Sequence, residues 1–184
     1  MKKIIISVIG PDRPGIIAAV TKTLFAHECN IENVSQTILQ DQFSGIFIAS
    51  IAGRVSIRTL REALEKTLEP LDLHVLLKPL RTRPADPGFA KSEPFVITTR
   101  GPDRKGLVAG ITEIIARHRA NVTNLQAVFK GGDDPDDNIM IYEIDVPATT
   151  DQNDLDADLR QRAASLGLDI SIQHRRIFEA INRI

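Results

Sequence analysis

The chain has 184 residues, a formal net charge of −1, no Trp and a single Tyr. Non-specific affinity for DNA or RNA needs a basic face and base stacking needs aromatic side chains, so this composition argues against direct nucleic-acid binding. The single cysteine, Cys29, excludes a disulfide framework, and we interpret it as a small buried hydrophobe. The N-terminal apolar run of about six residues is too short for a signal peptide or a membrane span. We therefore expect a cytoplasmic protein without a membrane partner.

The first half of the chain predicts a βαββαβ order. Residues 3–9 are apolar on both faces of a strand, which favours a central strand covered on both sides. Residues 15–28 have helical spacing, with an apolar stripe of Ile16, Ile17, Val20 and Leu24. The other predicted elements are a strand over 30–40, a turn at 41–45, a strand over 46–51, a helix from residue 56 or 58 to Pro70, and a strand over 73–77. This order is that of the ferredoxin-like split βαβ fold.

The second half of the chain repeats the first. The turn Gly10-Pro11-Asp12-Arg13-Pro14-Gly15-Ile16 returns as Gly101-Pro102-Asp103-Arg104-Lys105-Gly106-Leu107, at an offset of 91 residues (101 minus 10). The predicted elements that follow the same order are strands over 95–99, 122–129, 139–146 and 168–173, and helices over 106–119 and 151–166. Self-similarity over this length indicates two domains rather than one.

We therefore predict an α+β protein with two ferredoxin-like βαββαβ domains in tandem, each an antiparallel sheet with helices on one face. Domain 1 is expected at 1–80 and domain 2 at 94–184, with a linker at 81–93 that is recognised by its composition. Residues 176–184 form a short amphipathic tail. We expect this tail to dock on its own domain, and the alternative is a partner-binding or dimerising role.

The sequence contains no pattern typical of a catalytic or metal site. His27 and His118 match across the repeat, but neither has a second ligand at metal-binding spacing. Residues 131–138 are rich in Asp, yet they lack the central Gly and closing Glu of a calcium loop, so a solvated acidic turn is expected. Serine-hydrolase, nucleotide-loop and zinc motifs are missing as well. We predict no catalytic residues, no metal and no cofactor.

The repeated turn is the strongest candidate for a binding site. A Pro/Gly turn between a strand and a helix leaves the first helical N–H groups without partners, and the positive end of the helix dipole lies there. Such a turn attracts a carboxylate or another anion, and Gly15 and Gly106 keep close approach open. The alternative is a plain tight turn in which Asp12 or Arg13 caps the helix and Pro14 lies in its first turn. Its occurrence at the same point of both repeats favours the site.

A second repeated feature is Asn30-Ile31, which returns as Asn121-Val122 at the start of the second strand. An Asn amide both donates and accepts hydrogen bonds, and an aspartate supplies charge for an ammonium group. We expect the chain entering this strand to lie near the repeated turn, where the two features would form a site for a zwitterion. The alternative is structural: an Asn before a strand often adopts a left-handed conformation and caps the preceding helix. The residues alone leave both interpretations open.

The succession of strand, Gly-Pro-Asp-Arg-Pro-Gly-Ile turn, helix and Asn-Ile strand resembles the ACT domain, a small amino-acid-binding regulatory module. This resemblance implies the strand order 4-1-3-2, pairing of domains into a continuous sheet and small amino acids held at the domain interface. The ligand positions it implies, with their neighbours, are Asp12, Arg13, Gly15, Ile16, Asn30 and Ile31, and in the second copy Asp103, Gly106, Leu107, Asn121 and Val122. Lys105 replaces Pro14 in the second copy, so the second site is expected to be the weaker.

A tandem pair that opens with this turn is similar to the regulators of the glycine cleavage system. The resemblance implies a homo-oligomeric sensor of a small amino acid such as glycine or serine. It also implies control of gene expression through a DNA-binding activator protein rather than through DNA. The same turn opens the ACT part of formyltetrahydrofolate deformylase, so the alternative is a remnant or relative of the regulatory part of that enzyme.

Overall fold

The computed structural model describes residues 2–53, 55–81, 91–129 and 138–181. It divides into two compact units, Met1–Arg83 and Pro84–Ile184, and each is considered by itself. Most of the predicted linker and the acidic turn up to residue 137 lie outside the described residues. The predicted domain boundaries therefore stay predictions.

The first unit has the predicted βαββαβ order. Its elements are β1 (Lys2–Pro11), α1 (Ile16–Ala26), β2 (Asn30–Leu39), β3 (Gln42–Ile51), α2 (Ile57–Leu68) with a 3-10 turn at Glu69–Leu71, and β4 (His74–Pro79). The strands form one antiparallel sheet in the order β2-β3-β1-β4, which is the implied order 4-1-3-2 read from the other edge.

The second unit repeats this plan and adds one helix. Its elements are β5 (Ser92–Gly101), α3 (Leu107–Arg117), β6 (Asn121–Phe129), β7 (Asn138–Pro147), α4 (Gln152–Ser165), β8 (Asp169–His174) and α5 (Arg175–Ile181). The antiparallel sheet has the order β6-β7-β5-β8. Helix α5 packs on β5 and β8, so the expectation that the tail docks on its own domain is confirmed for the described residues.

Each core lies between one face of the sheet and the two long helices. The helices contribute side chains at four-residue spacing, which places them on one stripe. These buried triplets are Ile16, Val20 and Leu24 in α1, Leu60, Leu64 and Leu68 in α2, and Leu155, Leu159 and Ala163 in α4. Burying each large aliphatic side chain contributes roughly 1.5–3 kcal/mol. Cys29 joins the first core, and burial raises the pKa of its thiol, in agreement with its interpretation as a small hydrophobe.

The outer face of the first sheet is open within its unit, which corrects the expectation that β1 is covered on both sides. Ile4, Ile6 and Val8 are fully buried against the helices, whereas Ile9 on the opposite face is 54% exposed. Strand β1 is central as predicted, because β3 and β4 pair with its two edges. The alternation of side chains across a strand explains the difference: both helices lie on one face and leave the other bare.

Two local predictions are also wrong. The turn expected at 41–45 is a two-residue turn at Gln40 and Asp41, because Gln40 adopts a left-handed conformation (φ +57°) that closes a tight hairpin. Strand β3 therefore begins at Gln42. In the first helical turns, Ile17 and its counterpart Val108 are exposed rather than part of the buried stripe, since each follows its buried neighbour by about 100° of helical rotation.

Candidate ligand site at the repeated turn

The two helices that follow the repeated turn begin without a side-chain cap. Their N-cap residues are Gly15 (φ +98°) and Gly106 (φ +89°), and neither helix start receives a side-chain hydrogen bond. L side chains rarely adopt this backbone conformation, so glycine is required by φ, and an added Cβ would meet nothing within 4 Å. The interpretation in which Asp12 or Arg13 caps α1 is therefore wrong.

The other two long helices show the contrast. Ser56 caps α2, with its Oγ accepting from the Arg58 N–H at 3.2 Å, and Asp151 caps α4 by accepting from the N–H groups of Asn153 and Asp154. In α1 the first intrahelical bond is donated by Ala19 to the Gly15 carbonyl at 2.9 Å. The amides before Ala19 point out of the helix start without such a bond. The helices that open onto the repeated turn keep these donors available, whereas α2 and α4 do not.

A cavity lies in front of each uncapped helix start. The first measures about 600 Å³ and the second about 470 Å³. The first is lined by Asp12, Arg13, Pro14, Gly15, Ile16, Ile17, Ala18, Gln36 and Phe43, and the second by Asp103, Arg104, Gly106, Leu107, Val108, Ala109, Asn138 and Met140. The structure therefore brings together the members of the predicted set that belong to the turn: Asp12, Arg13, Gly15 and Ile16, and in the second unit Asp103, Gly106 and Leu107.

Asn30 does not lie beside Asp12 within its unit, which corrects the expected neighbourhood. Asn30 pairs with Ser50, which pairs with Lys3, whereas the turn follows Pro11 at the other end of β1. Eight residues of strand at about 3.3 Å each separate the two levels by roughly 26 Å. Helix α1 runs the length of the sheet between the turn and β2, so it separates the two features. Asn121 has the same place in the second unit, level with Asp145.

The structural interpretation of the two asparagines is wrong as well. The left-handed residues after α1 and α3 are Glu28 (φ +54°) and Arg119 (φ +58°), not Asn30 and Asn121. Both asparagines are exposed at the first positions of β2 and β6. Their assignment, with Ile31 and Val122, to a ligand site stays a prediction.

The floor of the cavity differs between the units. Phe43 pairs with Gly10 and Asn138 pairs with Gly101, so Phe43 and Asn138 occupy the same position in the two sheets. Asn138 is 4% exposed, and among the residues that the structure describes neither its Nδ2 nor its Oδ1 has a hydrogen-bond partner. Sequence reasoning assigned Asn138 to the acidic turn. A sequence signal for its burial does exist: Asn138 is the polar first member of an alternating series in β7 whose other members, Met140, Tyr142 and Ile144, are buried in the core.

The layer beneath this floor is also more polar in the second unit. Tyr142 occupies the position of Phe47, since they pair with Ile97 and Ile6. Burial raises the pKa of the Tyr142 phenol, so the hydroxyl stays protonated and donates to the Met140 Sδ at 3.3 Å. The second core thus contains polar side chains, Asn138 and Tyr142, at the two positions where the first core contains the apolar rings of Phe43 and Phe47.

The two histidines have local structural roles. The His27 Nδ1 lies 2.9 Å from the Thr23 carbonyl oxygen, and the His118 Nε2 lies 2.8 Å from the Asp158 Oδ2, which links α3 to α4. Within the described ranges, no three His, Cys, Asp or Glu side chains come together as a metal site.

Comparison with known proteins identifies the class. The ACT domain family model matches residues 2–78 and again 93–173, and the chain belongs to that family. ACT domains are regulatory modules, and the match assigns both repeats to them rather than to a catalytic domain.

Among individual relatives, the UPF0237 protein of Methanopyrus kandleri is 39% identical over 79 residues, which are 42% of this chain and 88% of that protein. The glycine cleavage system transcriptional repressor of Escherichia coli is 29% identical over 126 residues, 66% of this chain and 62% of the repressor. The chain thus spans less than two thirds of that repressor.

Two solved structures show the same fold over 94% of this chain. An unknown protein from Galdieria sulphuraria has a TM-score of 0.76 at 19% identity and covers 94% of this chain and 98% of its own. A provisionally assigned glycine cleavage system transcriptional repressor has a TM-score of 0.65 at 18% identity, covering 94% and 96%. Among the described residues, none of the helices combines the length and the apolar character needed to cross a membrane.

Proposed function

We propose that this tandem ACT protein is a regulatory sensor that binds a small amino acid at the repeated turn. The observation that supports it best is the contrast between helix starts: α1 and α3 leave their first amides uncapped in front of a cavity, whereas α2 and α4 are capped by their own side chains. A helix start with free amides favours a carboxylate, because the N–H groups and the dipole act together. The acid in the same turn supplies the complement for an ammonium group.

In the proposed complex, the ligand carboxylate points to the amides of Ile16 and Ile17 and its ammonium group contacts Asp12. In the second unit the same roles fall to the amides of Leu107 and Val108 and to Asp103. Arg13 and its counterpart Arg104 line the same cavities and add positive charge beside the carboxylate. Asn30 and Asn121 lie too far from the turn of their own unit to contact the same small ligand, so we propose that they contribute to amino-acid binding from a second copy of the chain.

The regulated partner is proposed to be a DNA-binding activator protein. Two observations support this choice: the similarity to a transcriptional repressor and the near-neutral net charge of the chain, which argues against non-specific binding to DNA. Glycine and serine are the ligands to test first, because the similar repressor is named for the glycine cleavage system.

Self-association is the second part of the proposal. The outer face of the first sheet exposes Ile9, Ile46 and Leu76, and isolated apolar faces of this kind mark contact surfaces. A second copy of the chain is the proposed cover, since two-fold pairing of identical surfaces is the commonest closed arrangement.

The test is calorimetric titration of the full chain with the twenty amino acids. We expect a small amino acid to bind and Gly15→Val to weaken binding at the first cavity, because a branched side chain would occupy the space in front of the helix start. Absence of binding by every amino acid at millimolar concentration would contradict the sensor function. It would leave the fold untouched.

The enzyme alternative makes a different prediction. A remnant of formyltetrahydrofolate deformylase would be expected to act with a hydrolytic partner domain, and an assay on formylated folate would detect that activity. The family match to ACT domains in both repeats favours the regulatory function.

A further inference from the structure

A cleft lies between α4 and the edge strand β8 of the second sheet, away from the repeated turn. It measures about 220 Å³, and Gln152, Asn153 and Asp156 from the first turns of α4 form its polar rim. Its apolar wall consists of Phe95, Ile144, Leu155, Leu159 and Ile172. Phe95 and Ile172 are half-buried, so solvent reaches this wall. Of the described residues that line the cleft, Asp156 alone carries a charge, and that charge is negative.

The first unit shows how a side chain of the protein itself fills the same place. The buried triplets of α2 and α4 and the strand register align the two units here. The matching residues are Leu60 and Leu155, Arg61 and Asp156, and Leu77 and Ile172. In the first unit the Arg61 Nη2 donates to the Leu77 carbonyl oxygen at 3.1 Å. This arginine therefore reaches from the helix to the edge strand, across the place where the second unit has its cleft.

Two differences between the repeats leave the cleft open in the second unit. Gln152 stands where Ile57 packs against the first core, and its Nε2 donates to the Glu93 Oε2 at 2.9 Å. Asp156 stands where the first unit has its arginine. It accepts from the Arg160 Nε at 2.7 Å and from the Arg160 Nη2 at 3.0 Å. Both rim side chains thus bond to exposed neighbours, and neither replaces the arginine that crosses to the edge strand.

We propose that this cleft is a docking site for an arginine side chain of a partner protein, which takes the place that Arg61 takes in the first unit. The aliphatic stem of that arginine lies on Phe95 and Ile172, and its guanidinium donates to the Ile172 carbonyl and the Asp156 carboxylate. A carboxylate has about four lone-pair positions, so Asp156 accepts from this guanidinium while Arg160 stays bonded.

Size and charge together favour an arginine side chain. Pockets for small molecules commonly measure roughly 300–1,000 Å³. The cleft, at about 220 Å³, is smaller and suits one side chain. The rim favours a cation, because Asp156 lines it and Asp151 and Asp154 begin the same helix. Arginine joins an apolar stem to a planar group of donors, and it is enriched among the side chains that anchor protein interfaces.

The experiment compares two side chains of nearly equal shape on the full chain. Nα-acetyl-L-arginine amide is titrated against Nα-acetyl-L-citrulline amide, which replaces the guanidinium by an uncharged group. Binding is followed by NMR through the methyl signals of Leu155, Leu159 and Ile172. We expect the arginine compound to shift these signals and to bind about tenfold more tightly than the citrulline compound. Equal affinities, or shifts confined to residues outside the cleft, would overturn the proposal.

A variant that restores the residue of the first unit assigns the binding to the cleft. Asp156→Arg is expected to fill the cleft from within the chain and to weaken binding of the arginine compound by about tenfold or more. Asp154→Arg is the matched control, since it makes the same change of charge at an exposed position of α4 outside the lining. It is expected to keep the affinity within about threefold. Undiminished binding by Asp156→Arg would overturn the proposal, and the comparison of the two compounds decides the matter even if that variant does not fold.

A third compound distinguishes a protein partner from a free small molecule. Agmatine carries the same guanidinium stem without a polypeptide backbone, and we expect it to bind no more tightly than the blocked arginine. Binding that is about tenfold tighter would assign the cleft to a free guanidine and overturn the protein as its source.

The outcomes are independent of the proposed sensor function. The blocked compounds carry neither the free carboxylate nor the free ammonium group that the repeated turn is proposed to bind. If neither compound binds, the docking site fails and the sensor function stands. If no amino acid binds the chain but the arginine compound does, the sensor function fails and the docking site stands.

Discussion

The two units share one backbone plan and differ in which side chains face solvent and ligand. On the outer face, Ile9, Ile46 and Leu76 of the first unit are exposed; strand pairing places Arg100, Ile141 and Ser171 at the same positions in the second. Only two of the three positions change from apolar to polar. The first unit therefore keeps an apolar surface that the second has largely lost.

The second unit also covers part of its outer face with its own helix. Val96 corresponds to Ile5 on that face, yet it is only 3% exposed, because α5 packs on β5 and β8. Arg175 at the start of α5 forms an ion pair with Glu143, which also accepts a hydrogen bond from the Asn124 Nδ2 at 2.9 Å. The two units therefore share a fold but differ in how the outer face of the sheet is covered. Helix α5 covers part of that face in the second unit, whereas the face stays exposed in the first.

The largest expected effect tests the cores. Phe47→Ala in the first unit should cost about 3–5 kcal/mol of unfolding free energy, because it leaves a cavity beneath β3. At the same position of the second unit, Tyr142→Phe should cost less than about 1 kcal/mol, since it removes a hydroxyl that donates to the Met140 sulfur and leaves the ring in place. Urea denaturation measures both. A large loss for Tyr142→Phe would mean that the polar layer stabilises the second unit.

The second test transfers the outer face of the second unit to the first. Ile9→Arg combined with Leu76→Ser places the residues of Arg100 and Ser171 on the first sheet. We expect this to weaken self-association by about a hundredfold, because an apolar contact is lost in both copies and a charge is placed in it. Light scattering over a concentration series measures the change. A parent chain that is monomeric at high micromolar concentration would contradict the proposed pairing.

The third test separates a capping role from a binding role at the helix starts. Asp12→Ala should change unfolding free energy by less than about 0.5 kcal/mol, because Asp12 makes no cap, but should weaken amino-acid binding by about 1–3 kcal/mol. Ser56→Ala is the matched control and should cost about 1 kcal/mol of stability with affinity unchanged. Thermal unfolding and calorimetry report the two quantities. Equal stability losses would restore the cap interpretation.

A related substitution tests the distant asparagine. If a second copy of the chain brings Asn30 to the ligand, Asn30→Ala should weaken amino-acid binding by about 1–3 kcal/mol, because a hydrogen bond to a charged group is lost. Because Asn30 lies at the other end of its sheet from Asp12, an unchanged affinity would remove it, and by analogy Asn121, from the site.

The smallest effect concerns the anchoring of α5. The hydrogen bond from Asn124, and then the Arg175 guanidinium, lower the pKa of Glu143. A lowered folded-state pKa means that this contribution is present above the ordinary Glu pKa of about 4.3 and is lost as pH falls through the folded value. Glu143→Gln should therefore remove about 1 kcal/mol at neutral pH and flatten the acid limb of the stability curve. An unchanged acid limb would show that the pair contributes nothing.

The secondary structure was predictable because its signals are local. Four-residue apolar spacing, a Pro/Gly turn and a repeat at a constant offset are readable without a partner strand, and they determined both βαββαβ units and the position of the candidate turn. The wrong predictions concern the backbone conformation and the exposure of individual residues, which depend on contacts with the rest of the fold. The turn at 41–45 failed because the left-handed conformation of Gln40 closed the hairpin earlier.

Only the tertiary structure decided which residues lie next to each other, because strand register and helix position determine those neighbours. Register placed Asn30 level with Lys3 rather than with the turn, and placed Asn138 at the position that Phe43 occupies in the first unit. The helices, all on one face of the first sheet, left Ile9 exposed although its strand is apolar throughout. The amino-acid sequence by itself determined which segments are strands and helices and where they repeat. Pairing joins residues tens of positions apart, and no local pattern carries that information.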